Sequence, residues 1–396
     1  MKYLMSLLMM SIVTGIYAQP FFFPEQTIRS YECQDCPQLS KEPLSAHWAL
    51  PDLPLFNKTF TTQDSYSWQQ WISGKALKEG VTINTLAENA IIRLTPAEPL
   101  KIPENWQMKI QFQTPQGGVK SLQEIGLHSD ANALPINQQA AQKSLVVQLN
   151  KSAGYGKFKL QIPEGVIPAE TRWQLSVYDK YASMHLHVET DKAQYRYGDW
   201  LKATIYLHDD SRFNPVEYIE AFVDAPSGKT YQMNLRKVEP DIYQGVLQLS
   251  DTQITQGENW NLEVLCHQHR GDQIIIRTAH TIFSYIVPSA RVISLEANKV
   301  EPLHYKVNIE AEQSSRYTFQ AILYGYDQNG TLKPGQISQS SYWFEKGRHS
   351  VPFSFNKTAM KGLQPPYLIG QVKLLDLTQL KPVFYYKPLI KVDEIS

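Results

Sequence analysis

The chain has 396 residues, 42% of them hydrophobic and 19% charged, with 38 basic residues against 38 acidic ones. A length of this order carries two or three domains, and the ordinary hydrophobic share is enough to fill their cores. Zero net charge gives no broad attraction for nucleic acid or an anionic membrane surface, so neither is an expected partner. Residues 1–18 read as a signal peptide: Lys2 is the positive end, Leu4 to Ile16 the apolar run and Ala18 the residue before the cut. That run is too short to span a membrane, and no later segment is long enough. The mature protein is expected outside the cytoplasm, secreted or alternatively periplasmic.

Residues 19–56 follow as an extended segment, because Pro20, Pro24, Pro37, Pro43, Pro51 and Pro54 remove backbone donors and restrain their predecessors. Phe21, Phe22 and Phe23 are expected to tuck into a domain. Cys33 and Cys36 form a C-x-x-C whose first reading is a small local disulfide. Redox activity would need the first cysteine at a helix N-terminus, and no amphipathic helix follows. A zinc site with Cys266, His267 or His269 matches no standard spacing. Cys266 alternates with Trp260, Leu262 and Val264 and reads as a buried free thiol.

A β-rich first domain is expected over residues 57–182. Trp68 and Trp71 lie three apart, which suits a turn or short helix and makes them a candidate stacking platform for sugar rings. Ala90 to Leu94 suggests a strand, and Trp106, Met108, Ile110 and Phe112 alternate with polar residues as the clearest strand of the region. Thr114 to Lys143 reads as a long loop with one helical turn. Strand pattern returns at Leu145–Leu149, Phe158–Ile162 and Trp173–Val177.

Residues 183–288 carry the strongest signal. Leu186 and Val188, then Leu201, Ala203, Ile205 and Leu207, alternate with polar residues around the corner Thr190–Asp199, as half-covered antiparallel strands do. Further strands at Tyr218–Val223, Tyr231–Leu235, Tyr243–Leu249, Trp260–Cys266 and Ile274–Ile286 give at least six, with a turn at Ala225–Lys229. Residues 289–396 repeat this grammar, with a hairpin turn at Asn329-Gly330 and a break at Gln364-Pro365-Pro366. The predicted fold is all-β: three consecutive β-rich domains, the second and third immunoglobulin-like antiparallel sandwiches.

Three stretches carry a family likeness: Trp68 to Pro96, the L175-S-V-Y-D-K180 junction, and T190-D-K-A-Q-Y-R-Y-G-D199. In these the chain resembles the secreted bacterial proteins of the domain of unknown function 4785 family. The resemblance implies a three-part exported protein with immunoglobulin-like C-terminal modules, and it transfers no chemistry to any residue.

Among candidate sites, Arg270-Gly271-Asp272 sits between two predicted strands, where such a tripeptide can be offered to a receptor on a hairpin tip; Gly-Asp is equally a good turn pair. His185 with His187, and His267 with His269, each share a strand face. The patterns H-E-x-x-H and G-x-S-x-G and a phosphate loop are absent, and no cofactor is implied. These features predict a secreted, non-catalytic binding protein displaying β-sandwich loops to an extracellular protein or glycan. The alternative is a secreted hydrolase or accessory subunit with its site in the first domain and the two sandwiches as spacers.

Overall fold

The computed structural model describes residues 20–34, 36–50, 62–98, 103, 105–130, 144–209, 216–298, 300–356 and 362–392. The expected signal peptide, residues 1–18, lies outside them. Alternating apolar residues over nearly the whole chain produce strands, and the described residues form an all-β structure with short helical turns. No helix among the described residues is long and apolar enough to cross a membrane. The described residues fall into two compact units: those within 58–250 and 258–285, and those within 20–57, 251–257 and 286–396.

The first of these units begins with two sheets facing across one core. One has the strand order Gly126–Asp130, Leu145–Leu149, Ile91–Pro96, Arg172–Tyr178, Ser67–Ser73; the other runs Val81–Thr85, Gly156–Gln161, Gln111–Gln113, Val119–Ser121. Inward residues of both, among them Leu94, Val147, Leu175, Ile83, Phe112 and Phe158, share the interior with Trp106 and Trp173, whose rings lie 5.1 Å apart. The helix Gly74–Glu79 starts where the Ser73 hydroxyl accepts the Ala76 N–H at 3.1 Å, a side-chain cap for an otherwise unpaired donor.

Two sequence expectations fail here. Trp106–Lys109 is a 3-10 turn, not strand: the N–H groups of Trp106, Met108 and Ile110 bond carbonyls three residues back. Burial follows the turn and not a strand: Trp106, Gln107 and Ile110 are buried while Met108 and Lys109 are exposed, so the apolar alternation of the sequence does not decide which side chains turn inward here. Likewise, Trp68 and Trp71 lie on one strand, Ser67–Ser73, and in no turn or helix. The long loop expected over Thr114–Lys143 holds its helical turn, Leu122–Ile125, but between short strands at Val119–Ser121 and Gly126–Asp130.

The remainder of this unit is a hydrogen-bonded path of nine strands, ending in Thr62–Ser65 beside Met184–Thr190. The strand Thr230–Glu239 divides its pairing along its length. Its first part lies against Ala221–Asp224 and its second against Ile242–Val246, so one strand serves two layers, as at the corner of a sandwich. The turn expected at Ala225–Lys229 is present, closed by the Ala225 N–H to the Lys229 carbonyl at 2.8 Å, with Gly228 at φ 83°.

In the second unit the proline-rich segment is built into the sheets. Phe21–Phe22 extends a sheet of Ala290–Ala297, His304–Ala311 and Gly347–Ser354. Leu44–Ala49 lies on Leu332–Phe344, at the edge of the sheet containing Ser315–Tyr326 and Gln364–Asp376. Between them, Glu32–Gln34 pairs in parallel with Gln253–Thr255. Phe23 enters the core among Phe384 and Tyr386, ring centroids 5.5 and 5.3 Å away. Gln364-Pro365-Pro366 opens a thirteen-residue strand and does not separate two.

Candidate functional site

Cys33 and Cys36 are bonded to each other. Cys266 is buried and free, its thiol pushed up to about 12 by burial, so it stays protonated at neutral pH. Arg270-Gly271-Asp272 does form a hairpin tip, with Arg270 opposite Gln273 and Gly271 at φ 62°. Its cation, however, is turned inward: the guanidinium pairs with Asp209 and donates to the Ser183 hydroxyl at 3.2 Å, leaving the side chain 18% exposed. The tripeptide therefore keeps its cation turned away from the tip, where Gly271 and Asp272 are exposed. Asp209 lies sixty-one residues away in sequence, a partner that spacing alone does not reveal.

Two of the three stretches tied to the family likeness are structural devices. Asp179, from the L175-S-V-Y-D-K180 junction, is buried with Arg277 at 3.1 Å. The carboxylate also accepts the N–H groups of Leu86 at 2.6 Å and Ala87 at 3.2 Å, and Arg277 donates from Nε to the Met184 carbonyl at 3.1 Å. Buried charges of this kind persist only when geometry and hydrogen bonds are complete. In the T190-to-D199 corner, Asp191 accepts the Tyr195 hydroxyl at 2.7 Å and the Lys202 N–H at 3.0 Å, while Asp199 accepts the Arg196 N–H at 3.0 Å. Burial and the Asp191 carboxylate together push the Tyr195 phenol up. The motif folds a corner; its polar groups are used within it.

His185 and His187 join a cluster that spacing could not show. His185 stacks between Tyr66 and His208, each centroid 4.7 Å away, and Tyr206 lies 6.2 Å beyond His208. His187 contacts Asp64 at 2.5 Å. The antiparallel register places His185 opposite His208 and His187 opposite Tyr206. A groove of about 370 Å³ beside them is lined by Glu189, Lys202, Thr204, Tyr206 and Gln244. The rings of this ladder cover one another's faces. In His269 the imidazole faces Glu217 at 2.8 Å. No group of three or more His, Cys, Asp or Glu among the described residues is placed to hold a metal ion.

The two tryptophans separate. Strand residues three apart point to opposite faces, so Trp68 is 2% exposed in the core while Trp71 is 53% exposed on the outer face, and no joint platform exists. Trp71 is nonetheless the centre of an open surface. Its neighbours across the strand pairing are Gln174 and, beyond that, Thr95. Gln174 donates to Gln69 at 3.1 Å, and the Arg172 guanidinium lies over the indole with its carbon 4.9 Å from the ring centroid. Arg93 donates from Nε to the Thr95 hydroxyl at 3.1 Å, and Tyr178 is 39% exposed further along the same face. Aromatic, amide, hydroxyl and guanidinium groups thus stand side by side on one side of the Ser67–Ser73, Arg172–Tyr178 and Ile91–Pro96 strands. Sequence reasoning found Trp71 and, two residues away on the same face, could place only Gln69 beside it, because Arg93, Thr95, Arg172 and Gln174 become its neighbours only through strand order.

Comparison with known proteins adds the following. Three family models match consecutive parts of the chain: the DUF4785 N-terminal domain over residues 35–179, its central domain over 182–286 and its C-terminal domain over 289–393. A crystal structure of a DUF4785 family protein from Legionella pneumophila is similar, with 31% identity over 94% of this chain and 99% of that one and a TM-score of 0.77. Far weaker likenesses are to the native conformation of Escherichia coli alpha-2-macroglobulin, 13% identical with TM-score 0.29 over 76% of this chain and 20% of that one, and to a tetra-tandem repeat of a large adhesion protein, 8% identical with TM-score 0.19 over 84% and 74%. No curated protein matches the sequence. Matched from residue 35 to residue 393 by three consecutive domain models, and over 94% of its length by a relative of nearly equal extent, the chain belongs to the DUF4785 family.

Proposed function

We propose that this is an exported, non-catalytic binding protein that holds a glycan on the outer sheet face around Trp71. The observation that carries it is the half-exposed indole set among outward amide and hydroxyl groups on paired strands. An indole face takes the apolar face of a sugar ring, and Gln69, Gln174 and Thr95 offer hydrogen bonds to its hydroxyls. The rigid sheet fixes these groups without loop ordering, which limits the entropy lost on binding. The imidazole–tyrosine ladder is less suited to stacking, since its rings already cover one another.

Export is supported by the leader-like residues 1–18 and by the Cys33–Cys36 bond, which persists in oxidising compartments. The alternative of a hydrolase in the first domain has less behind it, because Trp106, Phe112, Phe158 and Trp173 fill the interior there. An immunoglobulin-like character of the central and C-terminal modules remains part of the proposal.

A glycan array probed with the full chain and with Trp71→Ala tests the assignment. At least one glycan should be retained by the parent and lose at least about tenfold in affinity in the variant, roughly the 1.4 kcal/mol of one stacking contact. Glycan binding untouched by Trp71→Ala, or none at all, would discard it. Amino-terminal sequencing of protein recovered from supernatant and periplasm tests export, with a start near Gln19 expected.

A further inference from the structure

Resting on the glycan assignment above, we propose that the ligand of this face is a polysaccharide bearing carboxylates, a uronate polymer, laid along the sheet. Two guanidinium groups share the face with Trp71, and none of the described outward positions on its five strands is Asp or Glu. The charge of the face is therefore positive, although the chain as a whole is neutral.

Placement of the two arginines selects a polymer. Arg93 is the register partner of Ser176, and Arg172 precedes Ser176 by four residues on the same strand. The backbone positions lie about 14 Å apart. Both guanidinium groups lean toward the row Trp71, Gln174, Thr95 (Arg172 over the indole, Arg93 to the Thr95 hydroxyl), which sets them apart by two strand spacings, about 10 Å, across the sheet. Carboxylates repeating along a chain can meet both at that spacing. Trp71 and Gln174 lie between and beside them, opposite one another in the Ser67–Ser73 and Arg172–Tyr178 pairing.

Guanidinium chemistry favours carboxylate. The Arg172 guanidinium is held over the indole, its carbon 4.9 Å from the ring centroid, and a guanidinium grips a carboxylate through two parallel hydrogen bonds. Arg93 uses Nε toward Thr95, which orients its two terminal nitrogens. Stacking at Trp71 and pairing at Arg172 would act on one sugar residue, and Arg93 on another further along.

The test is affinity electrophoresis of the full chain in gels containing polygalacturonate, alginate or hyaluronan. Each polymer is also run carboxyl-reduced, and dextran sulfate is included as a plain polyanion. At least one uronate polymer should retard the protein, with affinity falling at least tenfold on carboxyl reduction. Arg172→Gln and Arg93→Gln should each weaken that binding several-fold while Trp71→Ala weakens both charged and reduced forms. Equal binding of charged and reduced polymer overturns the carboxylate proposal and leaves the glycan assignment standing. Retardation by dextran sulfate with the same arginine dependence, and by no uronate, overturns it in favour of general polyanion binding. No retardation in any gel, with no glycan bound on the array, removes both. Thermal melts of the three variants guard against misfolding; all three side chains lie on the outer face, so little change is expected.

Discussion

Asp179 shows how much a single side chain decides. It is a carboxylate taken wholly out of water, yet its oxygens are met by Arg277 and by two backbone N–H groups. The opposing effects are large: burial disfavours the charge on both partners, raising the Asp179 pKa and lowering that of Arg277, and their mutual attraction with the surrounding hydrogen bonds opposes it only in part. Removing one partner strands the other. Asp179→Asn should therefore destabilise the protein by about 3–5 kcal/mol in a urea titration, and the double variant Asp179→Leu with Arg277→Met should cost less than the single one. A loss under about 1 kcal/mol for Asp179→Asn would mean that Arg277 finds another partner or water. Trp71 is the converse case, a residue whose neighbours leave it open and which for that reason is proposed to bind.

At the scale of strands, cross-strand pairs set both register and surface chemistry. Arg291 and Glu310 are direct partners on Ala290–Ala297 and His304–Ala311, with Nη2 donating to the carboxylate at 2.7 Å. The same guanidinium reaches Glu25 at 3.0 Å and the Gln26 carbonyl at 3.3 Å, so it also pins the N-terminal segment. Hydrogen bonds from Arg291, with its charge and that of Arg348, hold the Glu310 carboxyl below the usual carboxylate range. A depressed folded-state pKa contributes stability above the unfolded value of about 4.3, and that contribution fades as pH falls through the lower folded value. Glu310→Gln should lower stability at pH 7 by up to about 1 kcal/mol, as for other partly exposed pairs, and flatten the loss seen on acidification below about pH 5. A parallel acid limb in parent and variant, followed by chemical denaturation, would show that the pair contributes nothing. Strand and turn positions such as Leu201–Leu207, Ala225–Lys229 and Asn329-Gly330 were readable because their signals are local: period two, and glycine at positive φ. Trp106–Lys109 misleads because its apolar residues alternate in the sequence, whereas the 3-10 turn buries Trp106 and Gln107 together and exposes Met108. Gly126 gave no warning of its role, since only the pairing shows that a Cβ there would collide with the Gln148 carbonyl.

For the molecule as a whole, contacts divide the chain differently from its order. Residues 20–34 and 36–50 belong with residues 286–396, and the next described residues, from 62 on, belong to the other unit. Phe23 supplies part of that core, and Tyr31 donates to the buried Asp376 at 2.9 Å, where Ser289 and Ser315 also donate, each at 2.6 Å. Burial, with the Asp376 charge beside it, pushes the Tyr31 phenol up and keeps it a donor. A fragment of residues 286–396 should consequently unfold far more readily than the same segment in the full chain, and a peptide of residues 20–34 should restore part of the loss. Phe23→Ala in the full chain should cost about 3–5 kcal/mol, the usual cost of emptying a buried phenylalanine site. Denaturant midpoints check both; a fragment as stable as the parent would make the segment an ornament of the sheet and no part of its core.

Local alternation, turn residues and cysteine spacing by themselves determined that this chain is built of strands, where its hairpins turn, and that Cys33 and Cys36 are close enough to join. Those properties depend on neighbours a few residues away, within reach of a pattern. Tertiary structure alone decided that the proline-rich segment completes the C-terminal sheets, that Arg270 faces Asp209 and not the solvent, and that Trp71 shares a face with Arg93 and Arg172. Each of these is a pairing between positions far apart in sequence. Strand order and register set them, and no local period encodes which distant strand will lie alongside.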